Sequence, residues 1–102
     1  EQTKICLSSW RIKVLTGNTA ICVEGKRKDM RQVLWHSSAV TERVTHSQVR
    51  TSSGTVYQLQ GKIDSAAMRS EGFPYRFIRR FTYGFFRRWK DYVEEFLEER
   101  RR

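Results

Sequence analysis

GFPYRFIRRFTYGFFRRWKDYV, residues 72 to 93, decides how the rest of the chain is read. Aromatics interleaved with arginines suit a nucleic-acid surface, where bases stack and phosphates pair with cations. The same composition also marks the buried side of short helices, and spacing separates the two. Phe77, Ile78 and Phe81 recur at helical intervals, and Gly84 interrupts. From Phe86 on, Trp89, Tyr92, Val93, Phe96 and Leu97 fall at i, i+3, i+4, i+7 and i+8. That is one apolar stripe on a helix, the strongest periodicity in the chain. Most of these aromatics are therefore expected in a core, with Phe77, Phe81, Phe85 and Trp89 facing a sheet. Arg76, Arg79, Arg80, Arg87, Arg88 and Lys90 are left on the opposite side as a candidate face for an anionic partner. Tyr75 and Tyr83 are the aromatics expected to be exposed. Gly72 and the single proline, Pro74, open this helical part, which is expected over about residues 74 to 100. Pro74 suits a first helical turn, where its missing N–H costs nothing.

The last helix carries its bases (Arg87, Arg88, Lys90) before its acids (Asp91, Glu94, Glu95, Glu98). A helix dipole prefers the reverse, by about 0.3–1 kcal/mol per charge near an end. Pairs Arg87–Asp91 and Lys90–Glu94 are expected to recover roughly 0.2–0.5 kcal/mol each. Local stability does not account for that order, so the basic end is read as kept for a partner.

Upstream, residues 4 to 68 are expected to be β structure. KICLSSWRIKVL alternates at Trp10, Ile12 and Val14, with Arg11 and Lys13 on the other side, as a half-buried strand does. Gly17-Asn18 is a hairpin dipeptide, because both residues tolerate positive φ. AICVEG returns, KRKDMRQ is a charged loop, and VLWHSSAVTERV resumes a strand that is bent or bulged at its serines. QVRTSSGTVYQLQGKID is a second hairpin with Gly54 at its corner and Gly61 ending the outgoing strand. The pattern predicts one α+β domain over residues 1–102: an antiparallel sheet, in the form of a small half-barrel, covered by a C-terminal amphipathic helix. An open strand edge or the aromatic segment is also a candidate for homo-oligomer contacts.

The 102 residues carry a net charge of +9, unevenly placed. Arg69 to Lys90 holds seven bases against Glu71, while residues 91 to 99 hold five acids and no base. A basic excess favours anionic partners but says little about fold. No apolar run reaches the roughly 18 residues of a membrane span, and no signal peptide is visible. The start at Glu1 and the Glu-Arg-Arg-Arg end read as a domain cut from a longer protein. Cys6 and Cys22 lie in strand-like runs outside any C-x-x-C pair, and are expected to be reduced, buried thiols. A catalytic constellation is missing. His36 and Ser37 are adjacent on a strand and point to opposite sides, and His36 is expected to be a hydrogen-bonded structural residue. His46 lies ten residues on, with no acid at ligand spacing, and no glycine-rich phosphate loop is present. No enzyme activity, metal, cofactor or small-molecule substrate is expected.

Several pieces together resemble one family. ICLSSWRIKV, AICVEGKRKD, LWHSSAVTERV, VRTSSGTVYQLQGKID and GFFRRWKDYVEEF follow the order and spacing of the SANTA (SANT-associated) domain, over roughly residues 5 to 97. The residues carrying the resemblance are Trp10, Ile12, Gly25, Trp35, Arg43, Thr51, Gly54, Tyr57, Leu59, Gly61, Phe81, Gly84, Phe85 and Trp89. The likeness across the loops is closest to the vertebrate kinetochore-null-two, or Mis-eighteen-binding, family. One departure stands out: Phe86 occupies a position where the family pattern has proline before the Trp, which bears on where the last helix starts. The resemblance implies a nuclear, non-enzymatic module at the centromere or kinetochore. Its expected partners are Mis-eighteen complex subunits and centromeric chromatin proteins, in licensing deposition of the centromeric histone variant, centromere protein A. Direct DNA or RNA binding by the Arg76–Lys90 face is the alternative.

Overall fold

The computed structural model describes residues 4 to 102. Strand β1 (Lys4–Val14) buries Ile5 and Leu7, then Trp10 and Ile12. That switch from odd to even positions needs one extra residue. It is supplied by a bulge: between Ser8↔Lys26 and Arg11↔Glu24, β1 advances three residues while its neighbour advances two. Ser9 sits there at φ 50. The bulge turns Trp10 fully inward, where its indole Nε1 donates to the carbonyl of Gly61 at 2.9 Å. Opposite the bulge stands Gly25, where a Cβ would lie 2.9 Å from the Ser8 carbonyl oxygen and 3.1 Å from Trp10 Cα. Only glycine lets the two backbones approach this closely.

β1 turns through Gly17 and Asn18, both at positive φ, into β2 (Ile21–Arg27), and β3 (Val33–His36) pairs antiparallel to β2. A second meander follows, with β4 (Val40–Thr45), β5 (Gln48–Thr51) and β6 (Val56–Leu59). Gly54, at φ 88, makes its last corner as expected. The spatial order is β3-β2-β1-β6-β5-β4. The two outermost strands, β3 and β4, are joined by Ser37, Ser38 and Ala39 alone. In a flat sheet those edges would stand about 24 Å apart, whereas such a link spans at most about 15 Å. The sheet therefore curls closed, and β3 and β4 are two halves of one kinked strand. The break falls at the serines. Ser37 hands the ladder over: its N–H donates to the Val23 carbonyl, its Oγ accepts from Val23 N–H, and Ala39 accepts from Ser52 N–H.

This closure corrects the purely antiparallel expectation. Counting β3 and β4 once, five strands surround the barrel, and alternation around an odd ring must fail at one seam. It fails between β1 and β6, which run parallel from Lys4↔Val56 to Leu7↔Leu59.

The β part also ends earlier than expected, at Leu59. α1 (Ser65–Ser70) occupies a stretch expected as β, started by Asp64, whose Oδ1 accepts from Ala67 N–H at 3.1 Å. Gly72, at φ 93, closes it, and Phe73 N–H reaches back to the Met68 carbonyl. α2 (Tyr75–Arg80) begins directly after Pro74. α3 (Trp89–Arg101) is the covering helix; it starts at Trp89, three residues after the expected Phe86. Trp89, Val93 and Leu97 are its buried stripe. An α+β domain of barrel and helical cap results, with a shared core.

Candidate interaction surface

The segment from Gly72 to Val93 has two sides. Phe77, Phe81, Phe85 and Trp89 are buried, as predicted. Phe77 is the centre of an aromatic cluster, 4.4 Å from Phe96, 4.8 Å from Phe81 and 5.2 Å from Phe73 between ring centroids. Phe81 meets Phe85 edge-on, and Phe85 reaches the Trp10 ring of the barrel at 6.4 Å. These contacts tie α2 and α3 to β1, each pair adding about 0.5–1.5 kcal/mol beyond burial. At the junction, Phe85 N–H donates to the His46 carbonyl at 2.7 Å, and Arg43 Nε donates to the Phe85 carbonyl at 2.8 Å. The approach works because residue 84 is glycine: at φ +128, its Cβ would lie 1.9 Å from the His46 carbonyl oxygen.

The remaining family residues also hold the fold. Trp35 on β3 reaches across the concave side, past its paired Gly25, to donate from Nε1 to the Tyr57 hydroxyl on β6 at 3.0 Å. The Arg27 guanidinium covers the Trp35 ring at 4.6 Å. Leu59 is buried, and Gly61 takes φ 75 while its carbonyl holds Trp10.

The predicted basic residues are all exposed, but they do not form one cluster. Arg76 lies 3.8 Å from Glu99, beside a hollow between Pro74 and Phe96. Arg79 stacks over the exposed Tyr75, and Arg80 lies over Phe86 and Tyr92 at 4.6 and 5.0 Å. Tyr75 and Tyr83 are exposed as expected. Arg87, Arg88 and Lys90 instead line a groove of about 530 Å³ between β4 and the first turn of α3, with Glu42, Arg43, Trp89 and Asp91. Arg43 is the functional candidate that the basic run did not supply: it lies over forty residues from Arg87 in sequence, and only the fold unites them.

Pairing within this groove corrects the expected ion pairs. Arg87 precedes the helix, so it does not reach Asp91; Arg88 does, at 2.8 Å. Glu94 pairs with Arg101 at 3.2 Å and not with Lys90. Glu42 is held by Arg50. Among the described residues, Arg87 and Lys90 have no ion pair. Asp91 in the first turn and Arg100 and Arg101 in the last complement the helix dipole, so the charge order opposes it less than the sequence implies.

The chain matches the SANTA (SANT Associated) family over residues 5–92, most of its length. It belongs to the SANTA family. That membership points to a chromatin-associated, nuclear interaction module. No solved structure matches the chain. Within this SANTA domain the family residues are spent on turns, close backbone approaches and the aromatic core.

The other sequence candidates resolve simply. His36 is exposed at the end of β3, and its imidazole makes no hydrogen bond among the described residues, contrary to the structural role expected. Its neighbour Ser37 is buried and committed to Val23 and Ser38. Both cysteines are free thiols; Cys22 is buried, whereas Cys6 is half-buried. Burial, then the Glu24 carboxylate, push the Cys22 thiol above its ordinary value against a smaller opposing effect of Lys13. No helix among the described residues is long and apolar enough to cross a membrane.

Proposed function

We propose that this SANTA domain is the non-enzymatic interaction module of a centromere-licensing protein of the kinetochore-null-two family. In this reading it acts in the nucleus with the Mis-eighteen complex to promote deposition of the centromeric histone variant on chromatin. Its loops as well as its core resemble that family, which supports the finer assignment. The observation that carries an interaction role is a pair of exposed cations without an ion pair among the described residues, Arg87 and Lys90, the latter lying over the Trp89 ring, at the hydrogen-bonded junction of barrel and helix. Exposed cations that need not give up an ion pair are available to an anionic partner and favour its encounter.

The test removes residues 5 to 97 from the full-length parent protein and follows Mis-eighteen subunits and newly loaded histone variant at centromeres. Loss of either signal is expected; unchanged loading would sink the reading. Direct binding of DNA is the second reading, favoured by the exposure of all six predicted cations. Duplex DNA titrated at low and physiological salt, against an Arg79/Arg80/Arg87/Arg88 charge reversal, separates the two. Micromolar binding with a steep salt slope, lost in the reversal, would replace the protein-interaction reading with the nucleic-acid one.

A further inference from the structure

The groove that holds Arg87 and Lys90 does not stand alone. On the other side of Trp89, a second hollow of about 360 Å³ opens between the start of β2, the start of β4 and α3. Its floor is Ile21, Val40, Trp89, Val93 and Leu97, and its rim carries Thr19, Lys90, Asp91 and Glu94. Trp89, Lys90 and Asp91 line both hollows, so the two meet at the first turn of α3. One half therefore has an apolar floor under a polar rim. The other is cationic, with Arg43, Arg87, Arg88 and Lys90 against Glu42 and Asp91, a net of +2.

We infer that the joined hollows form a single two-part docking site for an acidic peptide segment carrying one apolar anchor side chain. This deepens, and rests on, the protein-interaction reading above. Charge complementarity names the acidic half. Arg43 is already oriented by the Phe85 carbonyl, and Arg87 and Lys90 have no ion pair among the described residues, so incoming carboxylates displace no existing acid from them. Shape and polarity name the anchor: a hollow walled by isoleucine, valine, tryptophan and leucine takes an aliphatic or aromatic side chain. A phosphate track fits poorly. It gains nothing from the apolar half, and it would have to run on past Glu95, Glu98 and Glu99, which α3 presents to solvent, whereas a short peptide ends at the hollow. Arg76, Arg79 and Arg80, which such a track would also need, are turned to Glu99, Tyr75 and the Phe86–Tyr92 pair.

A random linear peptide library selected on the domain provides the probe. The expected outcome is a set of acidic peptides sharing one apolar position. Their affinity should fall about tenfold or more in Arg87→Glu with Lys90→Glu, and stay unchanged in Arg76→Glu with Arg79→Glu. The bound peptide should shift the Trp89 indole and the Val40 and Val93 methyl signals. The inference is overturned if no peptide is enriched, if enriched peptides lack acids, if both charge reversals weaken binding equally, or if duplex DNA displaces the peptide and binds more tightly. In the full-length parent, loss of centromeric recruitment on domain removal but not with Arg87→Glu and Lys90→Glu would reject the groove and leave the interaction module standing. Removal without effect would reject the module itself.

Discussion

The barrel and the helical cap hold their shape by different means. The barrel rests on register: paired backbone ladders, a bulge at Ser9 and a strand shared by both ends of the sheet. The cap has little of this. α1 and α2 are six residues each, too short to persist alone. Side-chain packing around Phe77 holds them, and they join the barrel through Trp10, Phe85 and the clasp at residues 84 and 85. The difference predicts that the cap depends on the barrel more than the barrel depends on the cap.

The sharpest attack on that dependence is Gly84→Ala. The new methyl meets the His46 carbonyl oxygen at 1.9 Å with φ at +128. Steric overlap and left-handed strain together should cost roughly 3–5 kcal/mol in urea unfolding. Gly54→Ala is its control: φ is +88, but nothing lies within 4 Å, so only conformational strain of about 1–2 kcal/mol is expected. Equal losses at the two glycines would show that the clasp does not join the parts.

Comparable in size is Phe77→Ala, at a fully buried ring, with an expected loss of about 3–5 kcal/mol. Amide exchange should show helical protection falling before that of β1 and β2 if the cap is the dependent part. Simultaneous loss everywhere would make barrel and cap one cooperative unit.

A smaller effect belongs to the barrel alone. Trp35→Phe and Tyr57→Phe each remove the 3.0 Å bond across the concave side. Each should cost about 1 kcal/mol, with a coupling in a double-mutant cycle that leaves cap protection untouched.

The smallest concerns pH. Cys22 keeps its proton more tightly folded than unfolded, so its contribution is complete below the ordinary value of 9.0 and is lost as pH rises through the raised folded value. Cys6 should therefore alkylate ahead of Cys22 in the native state, and Cys22→Ser should flatten the alkaline fall in stability.

Local chemistry was legible in the sequence. Gly17-Asn18 and Gly54 marked their turns, and the stripe at Trp89, Val93 and Leu97 marked the buried side of α3. Ring closure was not legible, because the parallel seam between β1 and β6 follows from how many strands surround the barrel, and no short window counts them. α1 was hidden for a different reason: one capping aspartate and a single buried Met68 are too little periodicity to see. The site was half visible. The run from Arg76 to Lys90 announced its cations, but helical phase cannot say that Arg80 lies over Phe86 and Tyr92 while Arg87 opens into a groove. Arg43 joins that groove only through the fold.

The seam between β1 and β6 also sets a timetable. Lys4 pairs with Val56, so β1, once synthesised, must wait for some fifty further residues before its second neighbour exists. The β1–β2 hairpin can form early, but β1 keeps an open edge until β6 arrives, and the chain is exposed to mispairing in that interval. Closing that loop is the most non-local step of barrel formation, and stopped-flow refolding is expected to show it as the slow one.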